Sequence, residues 1–160
     1  MIRSVALLAM GVLLTTGLAA CSSEPTAECH SNLVTGEMPA WANTGFSEGA
    51  EVPHVVGANG LIVAVPFSQP LVSTAEDSDP QNKLLLVAKV IPNGSAPMMI
   101  DAQLNGIGDV VHRVREGGPG PGTLDLPLPG CWRITMQWAD QTDTVDLNYV
   151  AGPSADPIAS

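Results

Sequence analysis

Three cysteines and three histidines carry most of the chemistry open to this chain of 160 residues. Cys21 closes the run Leu18-Ala19-Ala20-Cys21, and Cys29 and Cys131 stand far apart in the rest of the sequence. A thiol can accept a lipid, pair as a disulfide, bind a soft metal or attack as a thiolate. The imidazoles of His30, His54 and His112 can move protons or hold a metal. Their spacing contains no His-Glu-x-x-His or other short metal pattern. His30 beside Cys29 could start a metal pair, but a disulfide between Cys29 and Cys131 is the stronger expectation for an exported chain. No metal and no cofactor is expected.

The remaining candidates are weaker. His54 follows Pro53 and precedes an apolar pair, so a structural histidine is its default, with ligand contact as the alternative. Trp41 could stack on a sugar or on a partner side chain, and otherwise packs on the body. Glu76-Asp77-Ser78-Asp79 offers oxygen ligands for Ca²⁺ but lacks the glycine and distant glutamate of an EF-hand loop. Gly117 to Gly122 is not a phosphate loop, because its prolines remove amides and no Lys-Ser/Thr follows. No Ser-His-Asp arrangement can be read from spacing alone. If residues distant in sequence build an enzyme site, His54, His112 and Asp101 are the first suspects, for a small hydrolase or a metal-assisted reaction.

The N-terminus explains the first cysteine. Arg3 is followed by an apolar or small run from Val5 to Ala20. As a helix this run spans about 24 Å, short of the ~30 Å hydrocarbon core. It reads as a signal peptide over residues 1–20, with small residues before the cut. The cysteine at the cut resembles the lipid acceptor of a bacterial lipoprotein. Lipid on Cys21, rather than a transmembrane helix, would hold the mature chain at the membrane.

Composition narrows the partners. Loss of residues 1–20 removes Arg3 and leaves five Lys/Arg against sixteen acids, a net charge of about −11. Such a chain lacks the basic footprint of a nucleic-acid binder and is not drawn to anionic head groups.

The elements that must position these residues read as strands. Residues 22–28 form a polar tether, 29–51 an irregular segment, and 151–160 a disordered tail. Strands are predicted at 54–56 and 61–65 around the turn Gly57-Ala58-Asn59-Gly60, and at 83–91, a nearly continuous apolar run expected to be buried on both faces. A hairpin is predicted over 97–104 and 109–115, a loop over 117–122, and an edge strand over 123–128. In the last hairpin Trp132, Ile134, Met136 and Trp138 share one face, answered by Val145, Leu147 and Tyr149. The fold class expected is all-β: an antiparallel, immunoglobulin-like β-sandwich of about seven or eight strands over residues 29–150. In this register Cys131 lies opposite Trp132. Its disulfide should therefore tie the N-terminal segment on from outside rather than cross between sheets.

Several motifs resemble a family of small actinobacterial lipoproteins. They are Pro39-Ala40-Trp41 with Gly45-Phe46, Pro53-His54-Val55-Val56-Gly57, Asn82-Lys83-Leu84-Leu85-Leu86-Val87, Gly118-Pro119-Gly120-Pro121 and Pro129-Gly130-Cys131-Trp132. The resemblance covers most of residues 39–150. It implies an exported β-sandwich and carries over no catalytic residue. The resulting expectation is a lipid-anchored, non-enzymatic binding or accessory module on the extracytoplasmic face of the cell membrane. An envelope protein is its expected partner, and the loops 57–60, 68–82 and 116–122 are its contact surface.

Overall fold

A computed structural model describes residues 29–75, 79, 81–91 and 96–152. The expected signal peptide, Cys21 and the tether lie outside the described residues, as do Glu76, Asp77, Ser78 and positions 153–160 of the expected tail.

Ten strands and one 3-10 turn, Ala40–Ala42, follow in chain order. The strands are β1 Val34–Gly36, β2 Val52–Val56, β3 Ile62–Pro66, β4 Leu71–Val72, β5 Lys83–Ala88, β6 Met98–Leu104, β7 Val110–Arg115, β8 Pro121–Thr123, β9 Gly130–Trp138 and β10 Gln141–Val150. They form two five-stranded sheets, β1-β2-β3-β5-β8 and β4-β10-β9-β6-β7. Every strand pair is antiparallel except β4–β10, where Leu71 and Val72 run parallel to Tyr149 and Val150.

The two sheets face one another across a single apolar core. Alternation on β9 turns Trp132, Ile134, Met136 and Trp138 inward, and the register sets Ile134 opposite Val145 and Trp132 opposite Leu147. Met98, Ile100 and Ala102 of β6 extend this face. Val55, Ile62, Ala64, Leu84 and Leu86 meet it from the other sheet. The three aromatic rings of this core also satisfy their polar atoms. Trp132 Nε1 donates to Leu128 O (2.9 Å), Trp138 Nε1 to Val90 O (2.9 Å) and Tyr149 Oη to Leu124 O (2.8 Å). The architecture is thus an all-β two-sheet sandwich.

A second cluster covers the outside of the first sheet. Met38 and Ala42 are buried against Val63 and Val65, with Trp41, Phe46, Val52, Leu85 and Val87 around them. The segment read as irregular is therefore an apolar cover. It makes β3, not β5, the strand buried along its whole length. Two short strands, β1 and β4, carry no alternation long enough to read, and they raise the count from the predicted seven or eight to ten.

The predicted edge strand also lies elsewhere. Pro121 and Gly122 belong to β8, while Leu124 and Leu126 leave the ladder and sink into the core. Proline is tolerated there because β8 is the edge of its sheet, where an amide on the open side has no strand to bond.

Two polar ties join the sheets. The carboxylate of Asp143, at the start of β10, is fully buried and accepts the amides of Asn59 (2.8 Å), Leu61 (2.8 Å), Ile62 (3.0 Å) and Thr144 (2.8 Å). Gly57 is required here, since a Cβ at that position would overlap the Asp143 carboxylate. At the far end of β3, the buried Asn82 side chain pairs with both the amide and the carbonyl of Val72 (2.8 Å each). Its Nδ2 also donates to Asp125 Oδ1 at 2.6 Å. The turn 57–60, expected as a contact loop, is therefore fastened to the opposite sheet.

Candidate functional site

A cleft opens along the side of the sandwich bounded by the edge strands β7 and β8. Its volume is about 450 Å³, and Thr74, Ile100, Arg113, Arg115, Thr123 and Asp125 are among its walls. β7 builds it by an inverted alternation. Val111, Arg113 and Arg115 point toward the facing sheet, while Val110, His112 and Val114 point to solvent. Val111 packs on the core, whereas the two arginines fill the open edge beyond it.

Arg115 is held in place. Nη1 donates to Gly120 O at 2.9 Å and Nη2 to Thr123 O at 3.4 Å. The guanidinium lies against Gly122, where a Cβ would stand 3.0 Å from Nε and 3.1 Å from Cζ. Burial lowers its pKa from the ordinary arginine value, because the charge is partly removed from water. Arg113 donates to His112 O at 3.0 Å. Both arginines bond carbonyl oxygens, and among the described residues neither forms an ion pair with a carboxylate.

No protein-family model, curated protein or solved structure matches the chain.

The predicted disulfide is present. Cys29 and Cys131 are joined, with 5.8 Å between their Cα atoms and a sequence separation of 102. Cys131 shares the outer side of β9 with Arg133, so the bond fixes the N-terminal segment to the outside of the second sheet. Beside it Arg133 pairs with Asp146 across the β9–β10 ladder, Nε to Oδ1 at 3.0 Å and Nη2 to Oδ2 at 2.8 Å. The hydrogen bond to Asp146 raises the Arg133 pKa. The His30 amide also donates to Asp146 Oδ2, at 3.0 Å. Sulfur and carboxylate ligand atoms of Cys29, Cys131 and Asp146 lie within 4.8 Å of one another. A metal takes thiolate rather than disulfide sulfur, and Asp146 is already engaged by the guanidinium.

The other sequence candidates separate. His54 is buried on β2 with Nδ1 at 2.8 Å from Val52 O. Trp41 is half-buried within the apolar cover of the first sheet. His112 Nδ1 lies 2.7 Å from Asp101 Oδ1, directly opposite it in the β6–β7 register. That pair is open to water on the outer face of the second sheet, whereas His54 belongs to the first. Of the three suspects for an assembled enzyme site, His112 and Asp101 are therefore brought together and His54 is not.

Sequence reasoning misses two signals. Gly45-Phe46-Ser47-Glu48-Gly49 has the letters of a nucleophile elbow. Such an elbow needs a strand before the serine and a helix after it. Here the 3-10 turn Ala40–Ala42 precedes it, β2 follows it, and Ser47 O caps a turn by accepting the Ala50 amide at 3.1 Å. The arginine pair is the other. Its signal is alternating Val and Arg on a predicted hairpin arm, which fits either face equally well.

Proposed function

We propose that this chain is an exported lipoprotein whose sandwich is a non-enzymatic binding or accessory module on the outer face of the cell membrane. Residues 1–20 are its signal peptide, Cys21 carries lipid, and 22–28 tether the body. The observation that carries the reading is the Cys29–Cys131 bond. Disulfides persist in oxidising compartments outside the cytoplasm, and this one secures the chain eight positions after Cys21. The motifs that resemble those of small actinobacterial lipoproteins point the same way. The split of His54 from His112 and Asp101 leaves the hydrolase alternative without its assembled site.

We also read the topology as immunoglobulin-like. In support, β3 and β4 follow one another in sequence but belong to different sheets, and β4 lies parallel to the final strand β10.

The decisive experiment is intact mass analysis of protein purified from native membranes, with fractionation of Cys21→Ser beside wild type. A diacylglyceryl-modified residue 21 and a soluble variant are expected. An unmodified Cys21, or a variant as firmly membrane-bound as wild type, overturns the assignment.

A further inference from the structure

We propose that the cleft between β7 and β8 binds a compact oxyanion, a carboxylate or a phosphate group carried on a small molecule, through Arg113 and Arg115. This deepens the binding-module reading and rests on it.

Two guanidinium groups project from alternate residues of one strand, with Cα atoms about 7 Å apart at the usual rise per residue. That spacing lets both forks reach one ligand of a few heavy atoms. Each Arg has five N–H donors. Arg115 commits two nitrogens to backbone carbonyls, which leaves Nε and the second hydrogens of Nη1 and Nη2 for a ligand. Carbonyl oxygens are dipoles and do not neutralise the charge. A partly desolvated, fixed cation with no ion-pair partner attracts an anion more strongly than a fully solvated one, since the surrounding wall screens it less than water does. The rest of the chain makes this placement unusual. In a protein of net charge −10, two of its six Lys/Arg side chains meet in one cleft.

Inward charges on an edge strand also guard against pairing with another chain. That role needs a charge near the edge and nothing more. It does not call for Arg115 to be clamped by Gly120 and Thr123 and seated against Gly122. Such immobilisation is what ligand recognition requires, because the ordering penalty is met before the ligand arrives.

The opposite wall limits the ligand. Asp125 lines the cleft, but its Oδ1 is tied to the Asn82 amide (3.0 Å), the Gln81 amide (3.1 Å) and Asn82 Nδ2 (2.6 Å). Thr74 and Thr123 add hydroxyls, and Ile100 and Leu124 add apolar contact. A polyanion would meet the Asp125 and Glu116 carboxylates. A small molecule with one oxyanion at the β7 side would not. The cleft volume of about 450 Å³ suits a ligand of that size.

The test is calorimetric titration of the full-length, detergent-solubilised protein with inorganic phosphate and, separately, with butyrate, a monocarboxylate, at low salt. Saturable binding of at least one probe is expected, and the tighter probe identifies the phosphoryl or the carboxylate class. Arg115→Gln should weaken that binding at least tenfold, and Lys89→Gln should leave it unchanged. If Arg115→Gln does not fold by circular dichroism, Arg113→Gln and Arg115→Lys replace it, with the same direction of loss. Absence of saturable binding by both probes overturns the inference. So does binding that survives these substitutions, including a result in which the variants only self-associate. Lipid on Cys21 is read separately by mass, so failure of the ligand and failure of the anchor give different results.

Discussion

At the scale of single residues, Asp143 is the side chain on which most depends. Its buried carboxylate accepts four backbone amides, three of them from the turn that joins β2 to β3. Asp143→Ala strands those amides away from water, and each unsatisfied buried group costs about 1–3 kcal/mol. A loss of at least 3 kcal/mol, on the order of the sum of two such groups, is expected in urea denaturation. Gly57→Ala should destabilise in the same direction, since its methyl group competes for the space of that carboxylate. A second residue gives a clean optical readout. Tyr149 is the one tyrosine in the chain. Burial, reinforced by the negative charge of Asp125, raises its pKa above the ordinary phenol value. In the unfolded chain the phenol ionises near pH 10. Above that pH the unfolded state holds fewer protons than the native state, so stability falls as pH rises. The limiting slope is ~1.4 kcal/mol per pH unit. Phenolate absorbance should therefore appear together with loss of structure, not before it. Tyr149→Phe should remove the component of alkaline destabilisation that begins near pH 10 and lower stability at neutral pH by about 1 kcal/mol.

At the scale of elements, the Cys29–Cys131 bond fixes a segment outside the strand ladders, next to the bond from the His30 amide to Asp146. Residues 29–33 join no strand, and the bond closes a loop of 102 positions. Loop-closure entropy assigns such a cross-link ~4.7 kcal/mol. The Cys29→Ser, Cys131→Ser double variant should therefore lose several degrees of Tm, checked against wild type with and without reductant. The core hairpin should persist, because its contacts do not pass through the sulfur atoms. The strands differ in how plainly their own residues announce them. β9 and β10 are legible in the sequence because large apolar residues alternate with polar ones from Trp132 to Trp138 and from Val145 to Tyr149. β6 and β7 are legible from their lengths and the Asn105-Gly106 turn. β1 and β4 are not, because strands of three and two residues are made by their neighbours rather than by their own pattern. The disulfide site follows from the register of β9. The arginine cleft does not, because alternation tells which residues share a face and not which face is buried. On β7, at the sheet edge, Val110 and Val114 take the outer side, and Val111 and the two arginines the inner one.

At the scale of the whole molecule, charge and the proposed anchor oppose one another. The chain carries sixteen acids against six Lys/Arg. The two cations in the cleft face inward, and Arg133 is engaged by Asp146. Lys83 and Lys89 are exposed, but against sixteen acids they are too few to draw the body to anionic head groups, and electrostatics alone would drive it from them. Hydrophobic insertion of acyl chains, at ~0.8 kcal/mol per buried methylene, does not depend on counter-ions. The two sources of binding respond oppositely to salt. High ionic strength weakens attraction between opposite charges and also relieves repulsion between like ones. A protein held by basic contacts leaves the membrane in a high-salt wash. A lipid-held acidic protein stays, and is held slightly better as its repulsion is screened. We expect wild type to remain in the membrane fraction through a wash at about 1 M salt, roughly a 3 Å Debye length, and to leave it in detergent. Cys21→Ser should be soluble at every salt concentration. Release of wild type by salt alone would place the attachment in a protein partner instead of a lipid.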